Sequence, residues 1–284
     1  MELVAMVYEA QQSGNYLTKR EVYYRNTKLF QSQRNSNQLI DTLCGILQCP
    51  RASLHVVASP RGLIEGDLTF TLNGKVHLTD KVAQVSQFAN QITELTGNFK
   101  FILIVEKETV FRHLSGHDFA KQHKCLVVTG KGYPCLATLQ MLNQITTWFP
   151  ETPVLCLTDA DVFGADIFCM YKFGSKRHCI ERLTMPSIRW IGVFLSDLQR
   201  LNLLDQCSTS LTDRDRSKLT SLSSSAACQS DLFLMSQLEH MIKLNRKAEV
   251  ESVSGLPENY FCSTYLPSKI DAELSATRVS EEHE

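Results

Sequence analysis

The chain has 284 residues, 43% hydrophobic and 21% charged, with a formal net charge of −1. That balance excludes a largely disordered chain, and with no global positive potential any nucleic-acid affinity must come from local clusters of Lys and Arg. The length suits two domains, each burying its own core, and no apolar run approaches the ~18 residues of a membrane span.

Thr18-x-x-Glu21 has the form of a capping box, which predicts a helix starting there and carrying Tyr23 and Tyr24. A second helix is expected from Leu39, Ile40, Leu43, Ile46 and Leu47, spaced as one apolar face and ended by Cys49-Pro50. Residues 53–58 and 63–72 read as strands around a Ser59-Pro60-Arg61-Gly62 turn, and Asn73-Gly74 marks a hairpin before 75–78. Lys19, Arg20, Arg25, Lys28 and Arg34 lie close to these elements. Two helices followed by a hairpin fit a winged helix-turn-helix, and fit equally any small α+β module with a solvated basic face.

Beyond residue 95 the pattern alternates. Apolar runs at 101–105, 125–128 and 154–157 are expected as parallel strands covered on both faces, with 136–148 a crossover helix. Ligands of such sheets gather at the carboxyl ends of the strands, where Glu106, Thr129-Gly130-Lys131-Gly132 and Asp159-Ala160-Asp161 fall. Met185 to Gly192 is compact, 208–225 reads as partly loop, 232–248 as a helix, and the acidic tail Ser280 to Glu284 as frayed.

The 10 cysteines show no Cys-x-x-Cys and no Cys/His spacing that resembles a zinc site, so buried, reduced thiols in an intracellular compartment are expected. Met1 to Met6 lacks the basic start and apolar stretch of a signal peptide, which points to a soluble protein of cytosol or nucleus.

Three carboxylates on two strand ends suit Mg²⁺, a hard ion held by a few acids plus substrate phosphate. Asp159-x-Asp161 taken alone reads as well as a cap for the next helix. Gly130-Lys131-Gly132 offers backbone N–H groups and a cation to an anion, or is an ordinary strand–helix turn. Tyrosine is a poor nucleophile at neutral pH unless its phenolate is stabilised. Arg20, four positions before Tyr24, shares its helical face and can brace a phenolate or a phosphate. Adjacent helical tyrosines diverge by ~100°, so only one faces a substrate well.

Six ordered stretches resemble the meiotic double-strand-break transesterases, which are similar to the A-type polypeptide of topoisomerase VI. They are Thr18 to Tyr24 with Leu29-Phe30, Ile104 to Glu108 with Phe111, Val128 to Pro134, Asp159-Ala160-Asp161 with Gly164, Tyr171 to Ser175, and Pro186 to Gly192. The resemblance implies a winged-helix domain over 1–95 and a Toprim domain with a C-terminal extension over 96–284. It implies Tyr24 as nucleophile with Arg20 beside it, Glu106, Asp159 and Asp161 as Mg²⁺ ligands, and Lys19, Arg25, Lys131 and Tyr133 on DNA. The implied reaction makes a 5′-phosphotyrosyl link on double-stranded DNA, in the nucleus, by a homodimer in which one protomer's tyrosine meets the other's metal site. A topoisomerase VI B-like protein and other meiotic break proteins are the implied partners.

The chain departs from the family where Cys135 and Leu139 replace an Asp and an Arg, and where Val162 and Phe163 follow Asp161. It also begins close to the winged helix, without the longer N-terminal segment of the family. Two other classes stay open: a Toprim nuclease or primase with no use for Tyr24, and a DNA-binding relative that has lost efficient chemistry.

Overall fold

The computed structural model describes residues 1–57, 59–174, 183–256 and 259–281. Ser175, Cys179 and the last three residues of the acidic tail lie outside them.

Four helices, Glu2–Ser13, Lys19–Arg25, Thr27–Phe30 and Gln33–Leu47, surround a small core of Leu3, Val7, Val22, Phe30, Ile40 and Leu54. The first of them was not anticipated from sequence; it ends at Gly14, whose φ of 67° is readily available only to glycine. The expected capping box is present: Glu21 N–H donates to Thr18 Oγ1 at 3.1 Å, and the Glu21 carboxylate accepts from Thr18 N–H. Those bonds from Thr18 hold the Glu21 carboxyl below its usual range. Thr18→Ala is expected to cost about 1 kcal/mol, read as a lower urea midpoint at unchanged slope.

The helix Gln33–Leu47 corrects the sequence reading of its apolar face. It buries Ser36, Ile40 and Cys44, one row at fourfold spacing, and leaves Leu39, Ile46 and Leu47 exposed. The strand expected at 53–58 is instead a 3₁₀ turn, Arg51–Leu54, followed by the two-residue strand Val56–Val57, which pairs in parallel with Leu17–Thr18. Arg51 is buried and reaches Asp41 at 2.8 Å.

Asn73 and Gly74, with φ of 51° and 73°, turn the hairpin between Leu68–Leu72 and Lys75–Leu78 as the dipeptide predicts. These strands share the larger core: Ile92–Gly97 pairs with Leu68–Leu72, and Leu63–Glu65 pairs with Cys125–Thr129.

The main sheet has six strands, in the order Arg189–Gly192, Val154–Leu157, Phe101–Val105, Cys125–Thr129, Leu63–Glu65 and Ala83–Gln84. The first four run parallel to one another; Leu63–Glu65 pairs antiparallel with both its neighbours, so Ala83–Gln84 runs in the direction of the first four. The three apolar runs read from sequence are its centre, buried at every position, and the crossover helix Leu136–Trp148 keeps its expected bounds. Covering both faces of a parallel sheet is what removes the alternation from these strands.

The stretch read as partly loop holds the strand Ser208–Ser210 and the helix Asp213–Ser223, started by a Thr212/Asp215 capping box. The expected helix at 232–248 ends at Leu244, and Arg246–Ala248 is a strand antiparallel to Ser208–Ser210. Ala248 N–H donates to Ala160 O at 3.1 Å, which brings this ribbon to the Asp159–Asp161 loop. Among the described residues no helix is long and apolar enough to cross a membrane.

Candidate metal centre and tyrosine helix

The parallel register sets Val105 beside both Leu157 and Thr129, so Glu106 and Asp159 emerge at neighbouring strand ends. Glu106 Oε2 accepts from Asp159 N–H at 3.0 Å. Asp161 Oδ1 accepts from Gly164 N–H at 2.7 Å and caps the helix Val162–Phe173, as the capping reading of this residue expects. Position 164 admits only glycine, because a Cβ there would lie 2.3 Å from Asp159 O.

Burial, then the charges of Asp159 and Asp161, push the Glu106 carboxyl up to about 8, against the Asp159 N–H that favours its ionised form. Asp159, only 5% exposed, is pushed up to about 6 by burial, although Val250 N–H and Lys107 work against the rise. Burial also raises Asp161. Three acids are thus gathered where none ionises easily, the environment that a cation relieves.

The sequence reading missed what supports them. Lys107 Nζ lies 3.1 Å from Asp159, 3.0 Å from Glu249 and 2.8 Å from Glu251. Burial works against its charge, but its bonds to Glu251, Glu249 and Asp159 outweigh that and hold the ammonium well above the usual lysine range. The signal available was an acid pair, Glu249-Val250-Glu251, in a region whose periodicity carries no strong pattern. Lys247 reaches Asp215 at 2.7 Å, and its charge, after the N–H groups of Gly164 and Phe163, works against the rise that burial imposes on Asp161.

The Gly130-Lys131-Gly132 turn is not an open anion cradle. Lys131 N–H is spent on Thr129 Oγ1, Gly132 N–H donates to Glu106 O at 2.8 Å, and the helix starts only at Leu136. The turn therefore holds the Glu106 backbone in place. The Lys131 side chain pairs with Glu108 at 2.8 Å, and Tyr133 donates its hydroxyl to Asp166. Beside the turn Leu139 is buried in the core, and Cys135 Sγ lies within hydrogen-bond distance of Thr138 Oγ1, at 3.3 Å.

On the helix Lys19–Arg25 the two tyrosines diverge as their spacing requires. Tyr23 packs against the small core, and Tyr24 is 70% exposed with its ring 5.2 Å from that of Tyr23. Arg20 is exposed and forms no ion pair among the described residues, while Arg25 pairs loosely with Glu9 at 3.5 Å. Neither Tyr24 nor Arg20 shares a hydrogen bond or ion pair with Glu106, Asp159 or Asp161 within the chain.

A parallel sheet with acids at adjoining strand ends, preceded by a helical unit with an exposed tyrosine, is the outline of a Toprim protein of the type IIB topoisomerase class. Residues 101–270 match the model of the Toprim domain of the topoisomerase 6 A-subunit/Spo11 family, and residues 1–56 match the model "Type IIB DNA topoisomerase". The chain belongs to the topoisomerase 6 A-subunit/Spo11 family. It is 35% identical over 277 residues to the meiotic recombination protein SPO11 of Homo sapiens, covering 95% of this chain and 70% of the relative. Arabidopsis thaliana meiotic recombination protein SPO11-1 is 30% identical over 283 residues, with 97% and 78% covered. The DNA topoisomerase 6 A-subunit of the same plant is 29% identical over 277 residues, with 95% and 65% covered.

Proposed function

We propose that this protein is a DNA-cleaving transesterase that makes the double-strand breaks of meiotic recombination in the nucleus. The observation that carries the reading is the acid cluster of Glu106, Asp159 and Asp161 on two adjoining parallel strands, in a chain whose separate helical unit presents Tyr24 to solvent. Residues 1–95 are read as the winged-helix DNA-binding part and 96–284 as the metal-holding part, with strands 63–97 packed on the latter.

The donor set is all oxygen and mutually repelling, which fits Mg²⁺. When bound there, the ion supplies positive charge to the phosphoryl oxygens and to the leaving 3′ oxygen. Tyr24 Oη forms the new bond to phosphorus and gives up its proton, the bond from phosphorus to the 3′ oxygen breaks, and that oxygen takes up a proton. One ester replaces another, so cleavage by this chain calls for no nucleotide hydrolysis. Arg20, one turn before Tyr24, is positioned to favour the phenolate or brace the phosphate. Lys19, Arg25, Lys131 and Tyr133 are proposed to line the DNA path, the last two on exchanging their present carboxylate partners for phosphates.

Because Tyr24 has no contact with the acids of its own chain, a second copy is proposed to supply the metal half of each site, giving a homodimer on double-stranded DNA. A topoisomerase VI B-like protein and further meiotic break proteins are its proposed partners. Denaturing recovery of the chain from meiotic cells, followed by end-labelling of attached DNA, is expected to yield DNA joined through its 5′ ends. Breaks with no protein attached would replace this reading by a nuclease, and binding with no breaks by a non-catalytic relative.

A further inference from the structure

We infer that His113, His117 and Cys262 form a binding site for a borderline-soft divalent cation of the Zn²⁺ class, distinct from the oxygen-ligand acid cluster. His113 lies on the helix Glu108–Gly116 and His117 caps its end, one turn on, so both imidazoles lie on one side of it. Cys262 comes from the segment Phe261–Tyr265, which leads into the C-terminal helix. One ligand atom from each lies within 4.8 Å of the other two. Tetrahedral coordination at ~2.0–2.3 Å per bond therefore needs side-chain shifts of only ~1 Å.

A further observation points to a cation. His113 Nε2 is a buried atom with no hydrogen-bond partner, an expensive state that a metal bond removes. His117 Nδ1 lies 2.8 Å from the backbone carbonyl of His113 and Nε2 2.8 Å from Asn259 Oδ1, so both ring nitrogens face acceptors and these bonds raise the imidazole above its usual range; a metal at Nε2 takes the place of the Asn259 contact while Nδ1 keeps its proton on the carbonyl. A metal-bound histidine commonly has this arrangement, its second nitrogen donating to a carbonyl. Burial holds the Cys262 thiol up at about 11, so uptake of the ion releases its proton and the affinity falls in acid. The bound ion would fasten the helix that follows Glu106 to the C-terminal segment. The sequence concealed the site because its thiol stands far along the chain from the two histidines.

The test is a titration of the metal-free full-length chain with Co²⁺, followed by Zn²⁺ displacement. About one equivalent is expected to produce a thiolate-to-cobalt charge-transfer band that Zn²⁺ abolishes. Cys262→Ser should lose the band, and His117→Gln should bind at least ~100-fold more weakly, with circular dichroism reporting the fold of each. Glu106→Gln should keep the band, which separates this site from the acid cluster. A wild-type chain that takes up Co²⁺ without the band, or not at all, overturns the proposal whether or not the variants fold.

Discussion

Tyr24→Phe is expected to abolish covalent attachment of DNA, by on the order of 10⁴-fold or more, with no measurable change in stability. The substitution removes one oxygen from a ring that is 70% exposed and leaves the ring contact with Tyr23 in place. Tyr23→Phe should retain the adduct, since Tyr23 faces the small core. The sharper form of the experiment mixes two inactive variants. In a heterodimer of Tyr24→Phe with Glu106→Gln, one composite site combines both defects and the other combines an intact phenol with an intact acid cluster. Mixing should therefore restore cuts in one strand only. Silence on mixing, with heterodimers demonstrated on the DNA, would show that each protomer works with its own acids.

The second large effect is on stability. The Glu106 carboxyl ionises near 4.5 in the unfolded chain and at about 8 in the folded one. Between those values the folded state binds more protons, so stability falls as pH rises, by up to about 1.4 kcal/mol per pH unit where this group alone titrates. Below about 4.5 its contribution is complete, and above about 8 it is lost. Asp159 adds to the slope only up to about 6. Denaturation of the metal-free chain from pH 5 to 8 should show the decline, and Glu106→Gln should flatten its upper part. Mg²⁺ should recover about 2.7 kcal/mol at a hundredfold excess over its dissociation constant, at pH 8 and not in Glu106→Gln. A wild-type profile that is level without metal, or indifferent to Mg²⁺, would remove Glu106 from the ion's ligands.

The sheet was legible because burial on both faces writes unbroken apolar runs, and the three central strands match those runs closely. The capping box and Asn73-Gly74 were legible because their chemistry is local to a few residues. The helix Gln33–Leu47 misled the reading because its apolar residues outnumber those it buries, and Ser36 and Cys44 take core positions. Ser208 to Ser225 misled it through composition: a Ser- and Asp-rich helix is held by its cap and by two buried leucines, Leu219 and Leu222. At the strand ends the three acids were visible, whereas Lys107's bonds to Glu249 and Glu251 depend on a ribbon that returns from far along the chain. Spacing carries no trace of such long-range encounters.

Even with Glu106 protonated, Asp159, Glu249 and Glu251 share the one ammonium of Lys107 at the sheet edge, and Lys247, whose charge acts on Asp161, is itself paired with Asp215. A backbone phosphate drifting toward that edge meets net repulsion until a dication has settled there. Ion first and duplex second is therefore the favoured order of arrival, and a chain starved of divalent ions would grip DNA by its basic helices while the scissile linkage stays out of reach.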